Sequence, residues 1–148
     1  MVSQAVILCG GLGTRLGAIT KKTPKPLIKI GNKSFLDYLI DRLVQNKINK
    51  ILLLCSYKSE YFFKKYHNKR INNKIKISCI NEKKPLGTGG ALINATNKLD
   101  DYFYLLNGDT YFDGDLLQLQ EDFDKKNFDI ILSTKKLFND RYGDLKIK

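Results

Sequence analysis

No apolar run in this sequence approaches the roughly 18 residues that a membrane-crossing helix needs. The opening residues, Met1-Val2-Ser3-Gln4, carry no basic leader, and the apolar run Ala5 to Cys9 is too short for a signal peptide. A cytoplasmic chain with no membrane partner is expected. Cysteine is scarce: Cys9, Cys55 and Cys79 are odd in number, and their spacing suits neither zinc nor a disulfide framework. Each lies in or at the end of an apolar segment, which predicts reduced and buried thiols. The lone histidine, His67, sits in a polar segment among Lys64, Lys65 and Lys69. It is expected at the surface rather than as a base. Acidic residues are the scarcer charge, 15 against 26 Lys and Arg, for a formal net charge of +11. A phosphorylated small molecule or a nucleic acid would suit that balance. The basic residues are spread along the chain rather than gathered into an arm. That argues against nucleic acid and assigns most of the excess to a solvated lysine-rich surface.

What remains is an ordinary globular mixture, 43% hydrophobic and 28% charged over 148 residues. That length suits one domain with a real core. Ala5-Val6-Ile7-Leu8-Cys9 is a continuous apolar run, as in a buried parallel strand, and it stops at Gly10-Gly11. Pro24 and Pro26 predict an extended stretch into Leu27-Ile28-Lys29-Ile30. Phe35, Leu36, Leu39, Ile40, Leu43 and Val44 recur at helical spacing, with Ser34 placed as N-cap. Further strands are expected at Lys50 to Cys55, Ile75 to Cys79, Tyr102 to Leu106 and Phe128 to Leu132. Helices are expected from Ser59 to about His67, Gly89 to about Leu99 and Leu116 to Lys126. The segment Arg141 to Lys148 reads as the start of another strand. Strands alternating with helices in this rhythm mean an α/β fold with a mainly parallel sheet. Ligands of such sheets sit beyond the carboxyl ends of the strands.

Three segments fall at those ends, residues 10–17, 81–90 and 107–115. The first is Cys9-Gly10-Gly11-Leu12-Gly13-Thr14-Arg15-Leu16-Gly17. It lacks the Gly-Lys-Ser/Thr ending of a Walker loop. It also misses the dinucleotide fingerprint, because Gly17 comes one residue late and no acidic residue follows at the right distance. What it offers is backbone donors and one Arg, a combination that can clamp phosphates. Beyond that loop comes Thr23-Pro24-Lys25-Pro26-Leu27, which holds a lysine stiffly near the same anion. The third is Asn107-Gly108-Asp109, followed by Asp113-Gly114-Asp115. The latter is a D-x-D, the metal motif of many glycosyltransferases, or else a turn in which Asp115 caps the helix from Leu116. The cap is preferred, because a glycosyltransferase would leave the glycine loop and Pro-Lys-Pro without a role.

In order along the chain, Gly10-Gly11-Leu12-Gly13-Thr14-Arg15-Leu16, Pro24-Lys25-Pro26-Leu27, Glu82-Lys83-Lys84-Pro85-Leu86-Gly87-Thr88-Gly89-Gly90-Ala91 and Leu106-Asn107-Gly108-Asp109-Thr110 resemble the signature of the sugar-phosphate nucleotidylyltransferases. With Arg141-Tyr142-Gly143 they most resemble the branch that makes GDP-activated heptose. The resemblance implies a Rossmann-like three-layer sandwich of the nucleotide-diphospho-sugar transferase type. It implies that a sugar 1-phosphate oxygen attacks the α-phosphorus of a nucleoside triphosphate and pyrophosphate leaves. Arg15 and Lys25 would then be catalytic. Leu8, Gly10, Gly11, Gly13, Thr14, Glu82, Pro85 and Gly87 would bind the nucleotide. Asn107, Gly108 and Gly143 would contact the sugar, and Asp109 would hold Mg²⁺. Guanine presents two donors on one edge, N1–H and the N2 amine, and a carboxylate at Glu82 can accept both, whereas uracil or thymine would present carbonyl oxygens. That favours GTP over another NTP. A solvated Glu82 beside Lys83 and Lys84 is the competing reading.

The chain also departs from the family. Members normally continue past the Tyr-Gly segment into a Glu-Lys motif, a sugar-contacting segment and a second metal-binding Asp. Residues 1–148 are therefore expected to be the N-terminal, nucleotide-binding portion of a nucleotidyltransferase domain, with the chain cut short. A non-catalytic or partner-dependent nucleotide-binding fragment is the alternative, and a homo-oligomer is compatible with either.

Overall fold

The computed structural model describes residues 1–126 and 128–134. The described elements run β1 (Gln4–Leu8), α1 (Ala18–Lys22), β2 (Lys29–Ile30), β3 (Lys33–Ser34), α2 (Phe35–Gln45), β4 (Lys50–Cys55), α3 (Ser59–Tyr66), β5 (Arg70–Ile71), β6 (Ile75–Asn81), α4 (Gly87–Asn94), β7 (Phe103–Asn107) and α5 (Leu116–Lys126), with 3-10 turns at Thr14–Leu16, Lys25–Leu27 and Thr96–Lys98. The chain divides into two units, Met1–Gly114 and a second that begins at Asp115.

In the first unit the sheet order is β5-β6-β4-β1-β7. β6, β4, β1 and β7 are parallel, and only the short β5 is antiparallel. Register sorts the strand side chains onto two faces, since paired residues of neighbouring strands share a side. Val6 pairs with Leu52, and Leu8 pairs with Leu54, which pairs with Ile80. On that face Val6, Leu52 and Leu54 pack with Ala91 and Ala95, the end of α4 and the residue that follows it. Ile7 pairs with Leu53, which pairs with Cys79, on the opposite face. There α3 covers the sheet, and the Cys79 thiol donates to the carbonyl of Phe62. Helices on both faces of a mainly parallel sheet make three layers, and they explain why β1 and β4 are apolar at nearly every position. All three cysteines are buried, Cys55 and Cys79 in β4 and β6 and Cys9 just after β1. The hydrogen bond with Cys55, and then burial, push the Cys79 thiol well above the usual range.

Helix α2 starts where a capping box can close. Ser34 Oγ accepts from the Asp37 amide at 3.3 Å, and Asp37 Oδ2 accepts from the Ser34 amide at 2.9 Å. The buried stripe Leu36, Leu39, Ile40 and Leu43 follows at helical spacing. Lys65 and Tyr66 of α3 also bind the Asp37 carboxylate, at 2.6 and 2.8 Å. Burial pushes that carboxyl up, but Lys65, Ser34 and Tyr66 outweigh it and hold it at about 2.

Four expectations change. The Pro-Lys-Pro segment is not extended: Lys25–Leu27 form a 3-10 turn in which the Leu27 amide donates to the Pro24 carbonyl at 2.8 Å. A proline inside the first turn is compatible with this, because its missing donor would be unsatisfied there anyway. The helix expected to Leu99 stops at Asn94, and Thr96 Oγ1 donates back to the Ile93 carbonyl at 2.7 Å. His67 is half-buried rather than at the surface, because its Nδ1 accepts the Cys79 amide at 3.0 Å and so satisfies the outer edge of β6. Residues 128–132 form no strand, and Phe128, Ile130 and Leu132 are exposed. A short apolar run becomes a strand only beside a ladder partner, and the described sheet ends at β7. The strand expected from Arg141 lies outside the described residues. In the second unit, Asp115 Oδ1 caps α5 by accepting from the amides of Leu117 and Gln118 at 2.8 and 3.2 Å.

Candidate active site

The four parallel strands are laid down outward from β1 to β4 and β6, and the chain then returns to place β7 on the other side of β1. This reversal leaves a crevice at the carboxyl ends of β1 and β7. A cleft of about 500 Å³ opens there, lined at its base by Leu8 and Asn107, the last residues of those two strands.

The glycine loop forms one wall. Gly13 has φ +63°, and a Cβ on it would stand 2.8 Å from Thr20 Cγ2 and 3.2 Å from Lys25 Cβ. Only glycine fits both the left-handed backbone and the close approach. Thr20 is buried and fixes the loop, donating from Oγ1 to the carbonyls of Gly13 and Gly17 at 3.0 and 3.1 Å. Tyr57, after β4, in turn donates to the Thr20 carbonyl at 3.2 Å. Thr14 and Arg15 ride on the 3-10 turn between these anchors and line the cleft, with Arg15 exposed. Gly108 holds β7 against β1: its amide donates to the Leu8 carbonyl at 2.9 Å, and a Cβ on it would stand 2.8 Å from that oxygen.

The opposing charges come from three further segments. Lys25, on its 3-10 turn, donates from Nζ to Asp109 Oδ2 at 2.7 Å. Asp109 follows β7 and lines the same cleft. Glu82 follows β6, with its amide donating to the Cys55 carbonyl at 2.7 Å. It is 7% exposed and the only charged side chain among the buried described residues. Its Oε2 accepts the Leu86 amide at 3.3 Å, and its Oε1 lies 3.9 Å from where a Cβ on Gly10 would stand. The solvated reading of Glu82 is therefore excluded by its burial against the glycine loop. The cleft sets a buried carboxylate against the loop and an Arg, a Lys and an exposed Asp around open space, as a phosphorylated ligand with a polar ring requires.

A family profile described as Nucleotidyl transferase matches residues 4–147. The chain belongs to the nucleotidyl transferase family. It is 41% identical, over 97% of its length and 63% of the relative's, to D-glycero-alpha-D-manno-heptose 1-phosphate guanylyltransferase of Campylobacter jejuni. It is 38% identical to the protein of the same name from Aneurinibacillus thermoaerophilus, over 95% of the chain and 61% of the relative. Among solved structures, HddC from Yersinia pseudotuberculosis complexed with GMP-PN superposes with a TM-score of 0.72 at 37% identity, covering 82% of this chain and 54% of that one. The chain thus spans somewhat over half the length of the nucleotidyl transferases it matches. Their shared architecture makes the three layers here a Rossmann-like sandwich.

Within this nucleotidyl transferase cleft the structure brings together Leu8, Gly10, Gly11, Gly13, Thr14 and Arg15 from the first segment. It adds Lys25, then Glu82, Pro85 and Gly87, then Asn107 and Asp109. Gly108 is buried beneath them and serves the β1–β7 contact. Gly143 lies outside the described residues. Sequence reasoning passed over Thr88 and Ala91 of α4, and Pro26, which also line the cleft. Their signal was present in the quoted segments, where Thr88 directly follows Gly87 and Pro26 follows Lys25. Within the D-x-D, the Asp115 carboxylate caps α5, as the helix-cap reading expected, and the Asp113 backbone carbonyl accepts Arg42 Nη2 at 3.0 Å.

Proposed function

We propose that this chain carries the nucleotide-binding part of a sugar-1-phosphate guanylyltransferase, transferring GMP from GTP to a heptose- or mannose-type sugar 1-phosphate with release of pyrophosphate. The observation that carries this reading is the buried Glu82 in the same cleft as Arg15, Lys25 and Asp109. A carboxylate held out of water by Gly10 and the Leu86 amide is positioned to accept from N1–H and the N2 amine of guanine. The names of the 41% and 38% identical relatives, and the GMP-PN bound by HddC, support the same base and sugar class.

The transferred atom is the α-phosphorus. The phosphate oxygen of the sugar 1-phosphate forms a new P–O bond to it, and the bond to the β-phosphate oxygen breaks. The electron pair leaves with pyrophosphate. In this reading Gly11, Gly13 and Thr14 hold the triphosphate, and Arg15 neutralises charge that grows on the leaving pyrophosphate. Lys25 orients the α-phosphate or the sugar phosphate, and Asn107 bounds the sugar side while Gly108 holds β7 against β1 beneath it. Little proton transfer is needed, so alignment and charge neutralisation dominate.

The residues present fit a divalent cation. Asp109 offers a single exposed carboxylate that already holds a cationic group, the Lys25 ammonium, at 2.7 Å. No group of three or more His, Cys, Asp or Glu is clustered for a metal among the described residues. A hard cation that draws most of its ligands from phosphates and water needs no more than one or two carboxylates, and Mg²⁺ is such a cation. Asp109 would hold it, and when bound it would neutralise phosphate charge. No helix among the described residues is long and apolar enough to cross a membrane, and the substrates are soluble, so a cytoplasmic site of action is proposed. Pyrophosphate release with GTP and a panel of sugar 1-phosphates tests the function. Turnover with GTP and a heptose or mannose 1-phosphate is expected, and turnover with UTP but not GTP would overturn it.

A further inference from the structure

Lys25 and Asp109 lie 84 positions apart in sequence, yet Lys25 Nζ and Asp109 Oδ2 meet at 2.7 Å. The other carboxylate oxygen, Oδ1, accepts the Thr110 hydroxyl at a longer 3.3 Å. The short contact therefore places the Lys25 ammonium on Oδ2 and leaves Oδ1 to a weaker hydroxyl partner. Both side chains stay in water, 38% and 44% exposed, so the pair is readily broken. Each partner has a different destination in the reaction, Lys25 on a phosphate and Asp109 on a divalent cation. While Oδ2 holds the ammonium, that oxygen is not open to a divalent cation and one of the ammonium's three donors is taken.

Resting on the functional reading above, we propose that Lys25 is the resident cation of Asp109, exchanged for the divalent cation when a nucleotide's phosphates draw the ammonium away. In the nucleotide-free chain the single positive charge of Lys25 balances the carboxylate. On loading, the ammonium passes to a phosphate oxygen, and Oδ2 is released to the metal. No covalent bond changes. Lys25 and the metal compete for one oxygen, so the nucleotide-free chain binds metal weakly. The nucleotide removes the competitor. Metal and nucleotide therefore each tighten the binding of the other, by the same factor in both directions. With no cluster of three or more metal-ligating side chains among the described residues, the competition at Asp109 governs the protein's share of the metal's binding.

The test titrates Mg²⁺ alone into the nucleotide-free chain and follows the amide NMR signals of Gly108, Asp109 and Thr110. Wild type is compared with Lys25→Met, Lys25→Gln, Lys25→Arg and the double variant Lys25→Met/Asp109→Asn. The two neutral variants should bind Mg²⁺ about 5-fold tighter than wild type, the affinity equivalent of ~1 kcal/mol for an exposed ion pair. Lys25→Arg keeps the resident charge and should match wild type, while the double variant should lose the response. Neutral variants that bind Mg²⁺ no tighter than wild type, including no binding by any form, overturn the proposal. So does a gain in Lys25→Arg equal to that in Lys25→Met. No nucleotide enters these titrations, so the functional reading fails separately, on guanine-nucleotide binding.

Discussion

Gly11 and Gly13 stand two residues apart in one loop, and the structure gives them opposite roles. Gly13 has φ +63°, and a Cβ there would come within 2.8 Å of Thr20 Cγ2. Thr20 cannot swing away without giving up the hydroxyl bonds that tie Gly13 to Gly17. Gly13→Ala therefore combines roughly 1–2 kcal/mol for a left-handed L-residue with the typical 1–3 kcal/mol of overpacking. The expected loss is roughly 2–5 kcal/mol. Gly11 has no positive φ and no heavy atom within 4 Å of its would-be Cβ. Gly11→Ala should leave stability unchanged, or raise it by up to ~1 kcal/mol through the unfolded chain. That methyl would stand on the wall of the cleft, and under the proposed reading, with Gly11 on the triphosphate, nucleotide affinity should fall about tenfold, ~1.4 kcal/mol for a lost charged contact. Urea unfolding reads the first effect. With a slope of about 2 kcal/mol per molar, the middle of the usual range, the Gly13→Ala midpoint should drop by roughly 1–2.5 M while Gly11→Ala stays at or above wild type. Calorimetry with nucleotide reads the second. Equal midpoints for the two variants, or a larger drop in Gly11→Ala, would refute the division of labour within the loop.

Arg15 is exposed on the wall of the cleft, so Arg15→Ala should leave the urea midpoint in place. It should cost roughly 1.5–3 kcal/mol of transition-state stabilisation, about one to two decades in kcat/KM by pyrophosphate release. Asp37, held at about 2 against 3.8 for a free carboxyl, contributes stability that is present above pH 4 and lost as pH falls through about 2. Discounted for the 41% exposure of Lys65, Asp37→Asn should destabilise by about 1–2 kcal/mol at pH 7. The gap should close in thermal melts as pH falls through that window. A gap that persists to pH 2 would mean that the carboxylate's charge is not the source.

Much of this fold is legible because burial on two faces demands continuous apolar runs. Ala5 to Leu8 and Ile51 to Leu54 could hardly be anything but central strands. Ser34 announced α2 through chemistry local to four residues, Ser34 to Asp37. What local pattern could not give was partnership. Residues 128–132 are apolar enough for a strand yet form none, and His67 looked like a surface residue until the edge of β6 supplied an amide for it. Prolines restrict φ but not ψ, so Pro24 and Pro26 were compatible with an extended segment and with the turn that is observed. The glycine loop, Lys25 and Asp109 could be placed at strand ends by pattern alone. Their meeting at 2.7 Å follows only from the return of β7 to the side of β1. The burial of Glu82 depends on Gly10 and Leu86, residues 72 positions before it and four after it, and no window of sequence shows both.

Glu82 bears the central claim, and nucleotide binding tests it most directly. Calorimetry with GTP and with UTP, on wild type and on Glu82→Gln, compares one carboxylate with its neutral isostere. The account predicts that wild type binds GTP at least tenfold more tightly than UTP. It predicts that Glu82→Gln weakens GTP by about 10- to 100-fold, the equivalent of roughly 1.5–3 kcal/mol for charge-assisted hydrogen bonds, while UTP affinity stays the same. Equal affinities for GTP and UTP in wild type, or unchanged GTP affinity in Glu82→Gln, would contradict it.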